Sequence, residues 1–168
     1  MSREPTPCGA LHLANAGVHE AIDTTLLDVL EAVTALDLPA MRTSWDRFVD
    51  LLEAHATYEE EAVFPRYAAL PDHPRGGGPE LFEADHASLR KVALAAKEAL
   101  DTISAAGPDS RRVMITQLGP LVRLGNVLEH HTLREERFLY PRLDTTLGAE
   151  DIHTLVEGII ETASSRSA

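Results

Sequence analysis

HATYEEEAVFPRY, at residues 55–67, has a counterpart in HTLREERFLYPRL, at residues 131–143. Aligned on their histidines, both have Glu-Glu four and five places on, an aromatic nine on, and Pro-Arg ten and eleven on. The matched residues are His55, Glu59, Glu60, Phe64, Pro65 and Arg66 against His131, Glu135, Glu136, Tyr140, Pro141 and Arg142. An internal repeat of this kind signals a repeated structural unit. A His and a Glu four residues apart on a helix lie on one face, about one turn apart. Two such pairs facing each other form a metal-binding constellation.

The rest of the chain supplies helices to carry the two pairs. Ile22, Leu26, Leu30 and Val33 recur at helical spacing, which predicts a first helix from about Ala10 to Leu36; His12, Asn15 and His19 continue its stripe. Asp37 is placed to cap a second helix, with Pro39 in its first turn, and Trp45, Phe48, Leu51 and Leu52 lead into His55 and Glu59. Pro65 should kink or stop that helix. LPDHPRGGGP, residues 70–79, reads as a loop. A third helix follows with Phe82, His86, Leu89, Ala93 and Ala96 on one face. A fourth, capped by Asp109 or Ser110, runs through Leu121, Leu124 and Leu128 to His131 and Glu135. Gly119-Pro120 is either a bend inside it or its true start. Residues 1–9, with Pro5 and Pro7, read as a flexible arm, residues 10–145 as the bundle, and residues 146–168 as a short amphipathic fifth helix and tail. No strand-like alternation occurs.

Four long helices with short connections predict an all-α, up-down-up-down four-helix bundle. Heights along it follow from counting. His19 lies 18 residues before Asp37 and His55 lies 18 after it; His86 lies 22 before Pro108 and His131 lies 23 after it. Equal distances from a turn mean equal heights in antiparallel helices, at about 1.5 Å per residue. One histidine per helix therefore reaches one level.

Four imidazoles and two carboxylates are costly to bury without a partner. Six protein ligands exceed the four of a closed zinc site and suit two ions, with Glu59 and Glu135 placed to bridge them. Nitrogen and oxygen donors without sulfur suit iron, manganese or zinc. The single cysteine, Cys8, offers neither a disulfide framework nor a thiolate site.

His19, then His55-x3-Glu59, His86 and His131-x3-Glu135, one set per helix, resembles the hemerythrin-like HHE cation-binding family, as do the Phe64-Pro65 and Tyr140-Pro141 pairs. The resemblance implies two non-haem iron ions, oxo- or hydroxo-bridged, held by His19, His55, Glu59, His86, His131 and Glu135. The oxygen carriers of the family have a second His on helix 3, where Arg90 stands here, and end in His-x4-Asp. Those departures favour reaction with hydrogen peroxide, dioxygen or nitric oxide over reversible oxygen carriage, with catalase- or peroxidase-like removal of peroxide the most concrete activity. A sensing or storage module without turnover and a dioxygen-dependent oxygenase on a small organic substrate are the other readings.

Tyr58, three residues after His55, is the candidate catalytic side chain, as a ligand or electron shuttle, with a packed core tyrosine as the alternative. His12 is about 10 Å along the axis from His19, too far to share an ion. His130 is off the ligand face, and His73 and His153 read as surface residues. Glu60, Glu61 and Glu136 read mostly as a solvated face, of which one could accept from the second nitrogen of a ligand histidine. The net charge of -12 argues against nucleic acid and anionic membranes as partners. The first residues lack an apolar signal core, so a cytoplasmic monomer or homodimer is expected.

Overall fold

A computed structural model describes residues 9–164, and they are almost entirely helical, with no strand among them. The arm expected over residues 1–9, Cys8 included, lies almost wholly outside the described residues. Helix α1 spans Ala10–Ala35, α2 Leu38–Tyr58, α3 Phe64–Ala68, α4 Pro79–Ala105, α5 Ser110–Arg134, α6 Tyr140–Thr146 and α7 Ala149–Ser164. Single π-helical turns at Glu59–Val63 and Glu135–Leu139 join α2 to α3 and α5 to α6. Each repeat is thus one long helix interrupted by a π turn, and the chain forms a four-helix bundle with α7 as a fifth helix.

The helix ends follow the local sequence. The Asp37 side chain accepts from the Ala40 N–H at 3.1 Å, with Pro39 in the first turn where its missing N–H costs nothing. Gly107, at φ +56°, opens a short 3-10 turn into α5. Helix α5 starts at Ser110 and runs through Gly119-Pro120, so that pair is not its start. The N-terminus of α1 is capped from elsewhere in the chain. The Asp144 carboxylate on α6 accepts from the Leu11 and His12 N–H groups, each at 3.0 Å. Gly9 makes this possible, because a Cβ there would overlap the Asp144 side chain.

The bundle buries a continuous apolar core that includes Leu11, Ile22, Val29, Phe48, Phe82, Leu89, Leu124 and Leu128. Helix α7 lies against α1 and α2 and inserts Leu155 and Ile159. Residues 69–78 form the loop between α3 and α4, tied down where the Tyr67 hydroxyl donates to the Gly77 carbonyl at 2.7 Å. No helix among the described residues is long and apolar enough to cross a membrane.

Candidate metal centre

All six side chains expected as ligands, four from the repeat together with His19 and His86, reach one place inside the bundle. His19 comes from α1, His55 from the end of α2, Glu59 from the first π turn, His86 from α4, His131 from α5 and Glu135 from the second π turn. None is more than 3% exposed. His19 Nε2 lies 3.1 Å from His55 Nε2 and 3.2 Å from Glu135 Oε2. Glu59 Oε2 lies 3.4 Å from His55 Nε2 and 3.2 Å from His86 Nε2. Glu135 Oε1 lies 3.4 Å from His131 Nε2 and 3.9 Å from His86 Nε2. A divalent first-row ion bonds such atoms at about 2.0–2.2 Å, which sets neighbouring donors about 3.0–3.5 Å apart. The donors fall into two overlapping sets able to hold an ion, His19-His55-His131-Glu135 and Glu59-His86-His131-Glu135.

The two π turns shape this cluster. Each begins at a carboxylate of the repeat, and its defining bond runs from the N–H five residues on to that carboxylate's own carbonyl: Phe64 to Glu59, and Tyr140 to Glu135. In a regular α-helix five residues rotate a side chain about 140° off the starting face. A π turn closes its bond at i+5 instead, so that residue returns above the first. Pro65 and Pro141 follow one residue later, and neither has an N–H to continue an α-type ladder. The aromatic of each repeat is therefore carried back to the site. Phe64 packs on the His86 ring with centroids 4.9 Å apart. Tyr140, fully buried, donates a short hydrogen bond across the bundle to Glu59 Oε1.

Hydrogen bonds behind the cluster fix its chemistry. His86 Nδ1 lies 2.9 Å from Glu60 Oε1, and since a carboxylate only accepts, that nitrogen carries the proton. His86 Nε2 is thereby left as a lone pair aimed at the Glu59 and Glu135 oxygens when the ring is neutral. Glu60 is itself held by Arg90, whose Nη1 donates at 2.7 Å, and Arg90 Nε reaches Glu53 at 3.1 Å. Arg90 thus stands behind His86 and not in the cluster. On the other side Asn15 Nδ2 is within 3.4 Å of the His19 ring nitrogens and 3.5 Å of Glu135 Oε2.

The burial leaves polar atoms without hydrogen bonds: Glu59 Oε2, Glu135 Oε1, His86 Nε2 and both nitrogens of His131. Native interiors rarely tolerate such a group without a reason. No Lys or Arg among the described residues pairs with Glu59 or Glu135. Burial disfavours the charged imidazoles, pushing His55 down to about 4 and lowering His19 and His131 as well. Burial also lowers His86, but its bonds and charges with Glu59, Glu135 and Glu60 outweigh that and raise it. Burial pushes the Glu135 carboxyl well up, helped by the charge of Glu59. For Glu59 burial acts the same way, but the surrounding histidines outweigh it and hold the carboxyl low. Unpartnered donor atoms, mostly neutral imidazoles and two carboxylates without a cationic side chain are what a bound cation would satisfy. The residues fit a metal.

A cleft of about 380 Å³ between α1 and α5 reaches His19 from the surface, lined also by Ala16, Glu20, Asp23, Thr132 and Glu136. His12 and His130 line a separate cleft of about 530 Å³ beside Arg134 and Arg137. Tyr58 lies elsewhere: its hydroxyl donates to the Leu155 carbonyl at 3.2 Å, against α7. His153 is on the surface, but His73 is half-buried, bonded to the Tyr67 carbonyl at 2.9 Å and packed on the Tyr67 ring. In the sequence Tyr140 entered only as the aromatic of the second repeat and in the Tyr140-Pro141 pair that supports the family resemblance, with no role in the site. The aromatic-Pro pair at a fixed distance from each carboxylate was the signal available.

The family model of the hemerythrin HHE cation-binding domain matches residues 16–123. The match covers well over half of the chain, and the chain belongs to this family. It includes His19, His55, Glu59 and His86 and ends before His131, so the fourth helix's pair rests on the internal repeat and the geometry. Comparison with curated proteins and with solved structures returned no match.

Proposed function

We propose that the protein is a non-haem di-iron protein that reacts with hydrogen peroxide, dioxygen or nitric oxide, with removal of peroxide its main activity. The observation that carries this reading is the pair of overlapping donor sets, in which His131 and Glu135 belong to both. His19 and His55 complete one set, and Glu59 and His86 the other. Manganese or zinc would suit the same atoms, but a bundle core of Glu and His is the usual host of paired iron. Bound iron supplies Lewis acidity and one-electron chemistry.

The chain's own part is to hold, charge-balance and enclose the ions. Glu59 and Glu135 bring two negative charges into the core. Six ligand residues for two ions leave positions for a small molecule, and the cleft at His19 gives it an approach. Glu60 holds the His86 proton on Nδ1, so His86 presents a fixed lone pair.

The test is metal content of protein purified without added metal, followed by peroxide titration with oxygen release measured. About two irons per chain are expected, with peroxide turnover that His131→Ala abolishes. Turnover no faster than that of the His131→Ala protein would remove the enzymatic reading. A chain that takes up no metal after anaerobic iron loading would remove the di-iron reading altogether.

A further inference from the structure

We propose that Tyr140 is a positioning residue for the metal centre: its hydroxyl occupies Glu59 Oε1, so that Glu59 offers a cation only Oε2, while Glu135 offers both oxygens. This rests on the metal-binding reading above and adds an asymmetry that the repeated sequence does not suggest.

The two carboxylates start from equivalent places. Each follows its histidine by four residues, opens a π turn and is fully buried. What differs is the aromatic that the π turn carries back. In the first repeat it is Phe64, which has no polar atom and packs on His86. In the second it is Tyr140, whose hydroxyl donates to Glu59 Oε1 on the opposite helix. Glu59 Oε1 is thereby satisfied, while Oε2 makes no hydrogen bond and faces both His55 and His86. Among the described residues no phenol donates a hydrogen bond to Glu135, although the Tyr140 hydroxyl is close enough to feel its charge. Glu135 Oε2 faces His19, of one donor set, and Oε1 faces the shared His131 and, at 3.9 Å, His86 of the other set, so the two oxygens lie toward the two sets. Asn15 approaches it at 3.5 Å, at the long end of a hydrogen bond.

A hydrogen bond to a ligand carboxylate fixes its rotamer before the cation arrives, and outer partners of this kind are worth about 10- to 100-fold in metal affinity. Tyr140 does this with a rigid ring packed in the core, which a longer and more flexible donor could not match.

The experiment is a double-mutant cycle on the full chain, with Zn²⁺ affinity read by chelator competition so that no turnover is involved. Tyr140→Phe is expected to weaken Zn²⁺ binding by about 10- to 100-fold. In a Glu59→Ala background the same substitution is expected to change nothing further. An unchanged affinity in Tyr140→Phe, or an equal loss with and without Glu59, would overturn the proposal. So would an iron-loaded wild type whose visible spectrum has a phenolate band that Tyr140→Phe removes, because Tyr140 would then be a ligand. Infrared difference spectra of metal-loaded minus metal-free wild type give a readout that needs no variant. One carboxylate bound through a single oxygen, with widely split stretching bands, is expected beside a bridging one, and two bridging carboxylates would refute the asymmetry. If the wild type binds no Zn²⁺ or iron, the metal reading itself fails. If it binds and Tyr140→Phe binds equally, only the present proposal does.

Discussion

At the scale of single residues, the sharing of His131 and Glu135 between two donor sets makes the histidines unequal. His19 and His55 serve one set only, and His86 the other. His55→Ala is therefore expected to leave about one metal per chain and His131→Ala close to none, as measured by elemental analysis. Equal losses in the two variants would contradict the division. Glu60→Gln addresses the support behind His86. The amide cannot match the carboxylate that holds the Nδ1 proton, and Arg90 loses its charged partner. Metal affinity is expected to fall by about 10-fold or more while the fold is kept, checked by chelator competition and circular dichroism. Here the sequence reading was partly right: Glu60 stood among three glutamates on an apparently solvated face, and only the packing of α4 on α2 chose it.

At the scale of elements, two contacts hold the bundle's ends. Asp144 caps α1 from α6, a bond between residues 132 and 133 positions apart that no local signal announces. Asp144→Ala should cost about 1 kcal/mol, the usual worth of an N-cap, seen as a lower midpoint of thermal or denaturant unfolding. Helix α7 depends on Gly158. A Cβ there would overlap the Tyr58 ring, which is pinned by its bond to the Leu155 carbonyl. Gly158→Ala is expected to cost about 1–3 kcal/mol by overpacking and to raise hydrogen exchange in α7 before the rest of the bundle. A neutral or stabilising effect would mean that α7 shifts freely. The π turns belong to this scale too. Periodicity has no means to register a helix that changes its pitch for one turn, so the spacing gave Phe64 and Tyr140 no place in the site.

For the whole molecule, the cost of burying the centre ties stability to metal. Two carboxylates and four imidazoles are enclosed with no Lys or Arg paired to them among the described residues, so the metal-free protein bears unpartnered polar atoms in its core. A ligand present at about 1,000 times its Kd stabilises the folded state by about 4 kcal/mol. For a chain of this size that is a rise of roughly 8–16 °C in Tm. Calorimetry of metal-free and reloaded protein measures it, and a Tm unmoved by loading would mean that no cation binds the folded state. The overall charge of -12 repels anionic surfaces and does nothing to select the cation; selection lies in the donor atoms.

The sequence by itself determined the four long helices, the level at which four histidines meet, and the repeated His-x3-Glu pairs. All of these follow from the 3.6-residue period and from counting outward from turns, and both are local properties of the chain. Tertiary structure alone decided that Tyr58 turns to α7 while Tyr140 turns inward, that Glu60 supports His86, and that the two carboxylates differ. Those outcomes depend on a π turn's altered rotation and on which side chains meet across the bundle, and neither is encoded in the spacing of residues along one helix.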